Sequence, residues 1–362
     1  MPNPKKRLVL HIGTGKTGTS AIQNLFKAHQ SQFRDRGVFY PAPETMAIDG
    51  ADLESSGNGG PLFSFLYPPI RTKPLDETAF LDNFAGLFEG DDRAIFISNE
   101  MLEYGEAEKF AKLRDFCAER GVDLELVYAL RDIASHAFSA WSQVVVYHDC
   151  ADDWLSFQKH YCNHVNRFAL SARKIAGVVA RDKLHVLNYS KLKRAVVAKI
   201  LDILELEAPK DDSDREVNNS SSPQIVALML EFNKTIAGHL AATSNRAAIR
   251  GAFYSLMNAF ATAAPPRERM TISQEEYKVF EDYLGSDVRL INERFLGDQP
   301  IAIAREHEIG QSMALPTLSE DGKAAVAEVV RELVRHDGRV RELDPEMIAS
   351  VKRAVGAIAA PA

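Results

Sequence analysis

The chain has 362 residues, of which 46% are hydrophobic and 26% charged, an ordinary globular mixture long enough for one large domain or two small ones. A net charge of −7 and a pI of about 5.9 weigh against nonspecific nucleic-acid binding and leave room only for a local basic cleft. No apolar run approaches a membrane span, and the first one is too short for a secretory signal, so a cytoplasmic protein is expected.

The first predicted element is a buried strand, Leu8 to Ile12, a short apolar run ended by glycine. Thr19 to Phe33 follows with apolar residues at Ile22, Leu25 and Phe26, the spacing of a helix. "GVFYPAP" reads as a short strand that stops at prolines. Residues 41–75, rich in Gly, Pro and Ser, read as a long loop of the kind that is usually functional or mobile. Further buried strands are predicted at 93–98, 124–130 and 183–189, with helices at 76–89, 105–120, 132–147 and 152–180 and another ending at Leu204. Residues 221–296 read as helical with a break at "TAAPPRERMT". Past Gly297 come a linker-like stretch, "HEIGQSMALPTLSEDG", and polar helices at 323–336 and 344–357. Strands alternating with helices imply a parallel sheet with helices on both faces.

Ligands of an open parallel sheet bind outside the carboxyl ends of its strands. Here those ends run into "GTGKTGTS", "SNE", "RDIASHAFS" and "NYS". The first has the Gly-Lys-Thr of a Walker A loop, but the form G-x-x-x-x-G-K-[ST] needs a glycine where Leu10 stands. That match fails. A turn of this kind still makes an anion site, because its successive N–H groups and the helix dipole face one way. Gly13, Gly15 and Gly18 allow close backbone approach, Thr17, Thr19 and Ser20 supply hydroxyls, and Lys16 supplies a point charge. Arg131, at the end of the third core strand, offers a bidentate fork for a second phosphate. Ser139 lies on the next helix, and Asp132 is placed to cap that helix.

Taken together, "GKTGTS" (15–20) and Arg131 with Ser139 resemble the sulfotransferases that use 3′-phosphoadenosine-5′-phosphosulfate (PAPS). In that family a P-K-[ST]-G-[TS]-[TS] loop holds the 5′-phosphosulfate, and an R-D-P segment with a later serine holds the 3′-phosphate. "HIGTGKTGTSAIQ" looks most like the bacterial members that act on carbohydrates or small molecules. "LNYSKL" and "VRLINERFLG" also look like family segments. Gly15 stands where the family has proline, and Ile133 where it has the proline after Arg-Asp; neither change removes a phosphate ligand. The resemblance covers roughly 6–297. It implies an α/β fold, a P-loop NTPase-like parallel sheet flanked by helices with a helical C-terminal part. One domain is expected over 1–297, with a helical subregion at 221–297, and a linker and helical extension over 298–362. It further implies PAPS as cofactor, adenosine 3′,5′-bisphosphate as product, no metal, and a carbohydrate or small-molecule acceptor. Nucleotide ligands would be Gly15, Lys16, Thr17, Gly18, Thr19, Ser20, Arg131 and Ser139.

Transfer to a hydroxyl or amine needs a base for its proton. Glu100 is the first choice, because it follows "AIFIS" at the ligand edge of the sheet and "ISNE" looks like the Ser-x-Glu of bacterial members. Glu44, past the "VFYP" strand, is the second. His11 is a distant third, since a histidine inside a buried strand is more often a satisfied core residue. Lys16 is suited to stabilise the leaving phosphate. "REVNNSSSP" (215–223) reads as a loop over the nucleotide or as a helix cap, and Trp141 and Tyr147 as core or acceptor-pocket residues. Cys117, Cys150 and Cys162 are too few and scattered for a disulfide framework, and His160 and His164 lack a further ligand for a metal. Two rivals remain, a nucleotide kinase and a non-catalytic nucleotide-binding scaffold. Leu10, and Ser98 where a kinase needs a strand-terminal aspartate, weigh against the first. Self-association into a homo-oligomer stays open.

Overall fold

The computed structural model describes residues 5–49, 57–68, 74–164, 168–209, 221–237, 245–260, 271–311, 318–339 and 345–356. Residues 215–220 of "REVNNSSSP", the break at 262–270, residues 312–317 of the linker-like stretch, and 50–56 and 69–73 of the long loop lie outside the described residues.

The elements in chain order are β1 (Lys6–His11), α1 (Thr19–Ala28), α2 (Gln30–Arg34), β2 (Val38–Phe39), α3 (Pro43–Met46), α4 (Gly60–Leu66) and α5 (Glu77–Ala85). Next come β3 (Ala94–Ser98), a 3₁₀ turn (Glu100–Tyr104), α6 (Ala107–Glu119), β4 (Val122–Leu130), α7 (Ile133–Tyr147), α8 (Trp154–His164) and α9 (Phe168–Ala176). β5 (Leu184–Asn188), α10 (Tyr189–Leu192), α11 (Ala195–Ile203), α12 (Pro223–Ala237), α13 (Arg246–Phe260) and α14 (Gln274–Ile291) follow, then α15 (Glu320–Arg335) and α16 (Pro345–Gly356). The chain groups into two compact units. The first comprises Met1–Asp132, Arg167–Asn218 and Leu284–Ala302; the second comprises Ile133–Asn166, Asn219–Tyr283 and Ile303–Ala362.

The first unit carries a five-stranded sheet in the order β2-β3-β1-β4-β5. Every pairing is parallel, as the alternation of strands and helices predicted. Because both faces are covered, its strands are mostly apolar toward their carboxyl halves. Val9, Phe96, Val127 and Ala129 bury one face against Ile22, Leu25 and Phe26 of α1 and Val196 and Ile200 of α11. On α1 those three residues recur at the helical period, and Phe26 meets Phe96 with ring centroids 4.4 Å apart. On the other side α6 packs against β4, with Phe110, Leu113 and Cys117 fully buried. His11 pairs in register with Ser98 and with Val127, and Leu130 with Asn188. The register therefore brings the carboxyl ends of β1, β3, β4 and β5 to one edge.

One sequence expectation needs correction. The stretch read as a loop over 41–75 holds α3 and α4, and every residue of α4 is buried. Its "GPLFSFL" was masked by the glycine and proline around it. Pro61 sits in the first turn, where a missing N–H costs nothing. Just before α4, Asn58 is buried and donates to the Pro41 and Phe96 carbonyls at 3.0 and 3.2 Å, while its own oxygen accepts from Ser98 N–H at 2.8 Å. Within the helix predicted over 152–180, α8 and α9 are helical as expected, and residues 165–167 lie outside the described residues.

The second unit is helical, and α12 packs against α7, α13, α15 and α16. Apolar residues run around most of α12, with Val226, Leu228, Met229, Phe232 and Ile236 fully buried, as a central helix requires. α15 contributes Val326, Val329, Val330 and Leu333, all at 0% exposure. Trp141 is a core residue of this unit: its indole N–H donates to the Asp152 carbonyl at 2.9 Å, and it packs on Phe138 and Trp154. Tyr147 is exposed, beside Tyr254. The three cysteines are free. Among the described residues, no helix is long and apolar enough to cross a membrane, and no group of three or more His, Cys, Asp or Glu side chains is placed to hold a metal.

Candidate active site

The loop after β1 is stitched to β4 before it turns. Ile12 N–H donates to Val127 O at 2.9 Å and Thr14 N–H to Ala129 O at 3.1 Å; the Thr14 hydroxyl donates to the same Ala129 carbonyl. A Cβ on Gly13 would stand 2.7 Å from the Ala129 nitrogen, so only glycine fits between the two strands. The chain then passes through Lys16 at φ 67° and Gly18 at φ 85°, two left-handed residues separated by Thr17. Such alternation turns successive N–H groups to one side and makes an anion-binding nest. A left-handed residue with a side chain costs about 1–2 kcal/mol, so the loop must hold Lys16 in place. It does so with two bonds. The Arg131 guanidinium donates to the Lys16 carbonyl at 3.2 Å, and the Thr17 hydroxyl donates to the Thr14 carbonyl at 2.6 Å. α1 begins after Gly18 with no side-chain cap, which leaves its first-turn N–H groups and positive dipole directed at the loop.

Glu100 reaches the same loop from β3. Asn99 N–H donates to His11 O at 3.1 Å, and the Asn99 side chain accepts from Met101 N–H at 2.8 Å, starting the 3₁₀ turn. The Glu100 carboxylate accepts from the Thr19 hydroxyl at 2.6 Å. It also lies over Gly15, where a Cβ would sit 3.7 Å from its carboxyl carbon. Burial lowers the Lys16 pKa, with Glu100 pulling it back up and Arg131 pushing it further down. An ammonium in that setting is poorly hydrated and strongly drawn to any anion that enters the nest. Of the expected hydroxyl ligands, Thr17 and Thr19 thus already have protein partners, while Ser20 is half-buried in the first turn of α1.

The other candidates fall in different places. Glu44 is exposed on α3, and no contact among the described residues ties it to the loop. His11 is fully buried. Its Nδ1 lies 2.9 Å from the Ser98 hydroxyl, its Nε2 has no partner, and burial lowers its pKa to about 4. It is a neutral core histidine. Arg131 stands half-buried at the end of β4, its guanidinium carbon 5.7 Å from the centre of the Tyr189 ring. Asp132 ties strand ends together: its N–H donates to the Ser190 hydroxyl at 2.8 Å, and its carboxylate accepts from Ala302 N–H at 2.8 Å. Ser139 is half-buried on α7, in the second unit.

Sequence reasoning missed several participants. Tyr189 supports the loop from below, close enough that a Cβ on Gly18 would meet its ring at 3.2 Å. Asn188 caps α10 through Lys191 N–H and donates to the Gln299 and Pro300 carbonyls at 3.0 and 2.8 Å. "NYS" at a strand end was the signal for both. Glu103, three residues beyond Glu100, is buried on the same 3₁₀ turn; the spacing of two glutamates by one such turn was legible but unused.

No protein-family model matches the chain, and no curated protein matches it either. Among solved structures it is similar to a sulfotransferase from Alicyclobacillus acidocaldarius, 16% identical, with a TM-score of 0.37 over 66% of this chain and 92% of that one. A sulfotransferase domain from the curacin biosynthetic pathway is 12% identical, with a TM-score of 0.33 over 60% of this chain and 82% of that one. The mouse sulfotransferase SULT7A1, solved in complex with PAP, is 11% identical, with a TM-score of 0.31 over 60% of this chain and 69% of that one. At these values the likeness carries no functional weight.

Proposed function

We propose that this chain is a sulfotransferase that moves a sulfuryl group from PAPS to a hydroxyl or amine of a carbohydrate or small metabolite. The observation that carries the reading is the meeting of Lys16 and Glu100 at one anion nest, each held by the loop it serves. Transfer is an in-line displacement at sulfur. The acceptor oxygen or nitrogen forms a bond to sulfur while the bond from sulfur to the 5′-phosphate oxygen breaks. The acceptor proton passes to Glu100, and adenosine 3′,5′-bisphosphate leaves. Lys16 and the nest N–H groups stabilise the charge that grows on the departing phosphate, a contribution typically worth ~10²–10³ in rate. A sulfuryl group carries less charge than a γ-phosphoryl group, so this chemistry asks for no bridging metal. Arg131 is proposed as the 3′-phosphate ligand with Ser139, and Glu44 as the base should Glu100 fail that role.

Calorimetry decides between this and a kinase. Adenosine 3′,5′-bisphosphate should bind without magnesium and far better than ATP or AMP. Arg131→Ala should weaken the bisphosphate by on the order of 2–5 kcal/mol and AMP by much less, the latter only through the lost bond to the Lys16 carbonyl, while Ser139→Ala should weaken the bisphosphate and barely change AMP. Tight, magnesium-dependent ATP binding would sink the sulfotransferase reading, and equal losses for both nucleotides would make Arg131 structural.

A further inference from the structure

The 3₁₀ turn that carries Glu100 carries a second carboxyl on the same edge. With three residues per turn, positions i and i+3 fall on one side of the turn, and the Glu100 charge is felt at Glu103. Glu103 is only 7% exposed. Its carboxyl accepts from the Tyr128 hydroxyl at 3.1 Å and is also bonded to the Tyr104 hydroxyl. The Lys174 ammonium donates to the Glu103 backbone carbonyl at 2.6 Å and not to its carboxyl. The side chain is thus a buried acid bonded to two hydroxyls, with no direct ion pair to neutralise it among the described residues. The titratable groups around it are Glu100 and Tyr104 on its own turn, Tyr128 on β4, Lys174 on α9, and Tyr67 after α4.

We propose that Glu103 is a positioning residue that sets the charge of the anion site: holding its proton, it leaves the nest open to the donor, and losing it, it places a second negative charge behind Glu100 that weakens donor binding. This rests on the sulfuryl-transfer reading of the site and adds to it a dependence on proton concentration. Burial raises the Glu103 pKa to about 8, with the Glu100 charge adding to the rise and the Tyr128 hydrogen bond and Lys174 opposing it. The group therefore changes charge just above neutrality. Coulombic repulsion through a partly polar interior then predicts a loss of affinity on the order of 3- to 30-fold once the proton has gone.

The test is calorimetric titration of adenosine 3′,5′-bisphosphate into the full chain from about pH 6.5 to about pH 9.5, alongside ¹³C-detected titration of the Glu103 carboxyl in the nucleotide-free protein. The wild type should lose affinity across a transition that coincides with the Glu103 titration. Glu103→Gln keeps the shape and the Tyr128 bond, and should lose that component. Tyr128→Phe removes a donor to the charged form, and should move the transition to higher pH, which keeps the proposal testable if the Gln variant does not fold. A fall in affinity that persists unchanged in Glu103→Gln belongs to Lys16 and overturns the proposal, as does a Glu103 carboxyl already ionised at neutral pH. If no bisphosphate binds at any pH, the donor reading itself fails. The same series with inorganic pyrophosphate then decides whether the Glu103 charge acts on the nest.

Discussion

At position 16 a charged side chain sits on a left-handed backbone, and in the proposed reaction the two features face one anion. The backbone turns N–H groups into the nest, while the half-buried ammonium supplies charge where water is scarce. Lys16→Ala should therefore lower turnover by more than it lowers nucleotide affinity, because the ammonium interacts most strongly once the leaving phosphate has gained charge. Glu100→Gln should separate the two quantities further. It keeps an oxygen for the Thr19 hydroxyl but cannot take a proton, so sulfuryl transfer should fall ~10²–10⁴-fold. Nucleotide affinity should hold or rise, since a negative charge beside the nest has gone. Single-turnover transfer of labelled sulfate to a panel of sugars and phenols measures both. An active Glu100→Gln with a dead Glu44→Gln would move the base to α3.

Among the elements, β1 is the most constrained. His11 near its end is buried and neutral, with a pKa lowered to about 4 from the ordinary 6.5. In the unfolded chain it takes a proton below about pH 6.5, and in the folded chain only below about 4. Stability is therefore full above the upper value and falls as pH drops through the window, by at most about 3 kcal/mol. Urea unfolding at about pH 7 and about pH 4 should show this loss, and His11→Gln should reduce it; an equal loss in the variant would assign the acid sensitivity elsewhere. β1, β3, β4 and β5 were legible because buried parallel strands read as short, mostly apolar runs, and α1 because Ile22, Leu25 and Phe26 keep one period. α4 was not, because its burial comes from packing on α3, α5, α6 and the 3₁₀ turn while its local sequence signals a turn. The site was legible as far as its strand-end residues. Lys16, Glu100 and Arg131 each follow an apolar run, whereas Glu103 and Tyr128 depend on which partner each side chain meets, and spacing does not reveal that.

For the whole molecule, the part that resembles a known family stops near residue 297, but compactness does not. Residues from Ile303 onward belong to the second unit, where α15 covers α12 with Val326, Val329, Val330 and Leu333. Removing 298–362 would return those contacts to water, a loss on the order of 6–12 kcal/mol for four such side chains. That is comparable to the stability of a typical domain. The shortened chain should bind a hydrophobic dye and lack a cooperative thermal transition for its helical part. A soluble, cooperatively folding fragment ending at 297 would show that α15 and α16 are dispensable.

The order of the sheet has a consequence in time. β1 is the first strand made and the middle strand of five, but its two neighbours arrive much later in the chain: Leu8 pairs with Ile95 on one side and Leu124 on the other. Leaving the ribosome, β1 meets β3 first, but the nest sequence stays unanchored until β4 has emerged, because Thr14 and Lys16 are both held by groups on or just after that strand. Closing such long loops is entropically slow compared with forming local helices. The nest is thus completed only after β4 has docked, and nascent chains that stop short of β4 lack the bonds from Ala129 and Arg131 that hold its loop.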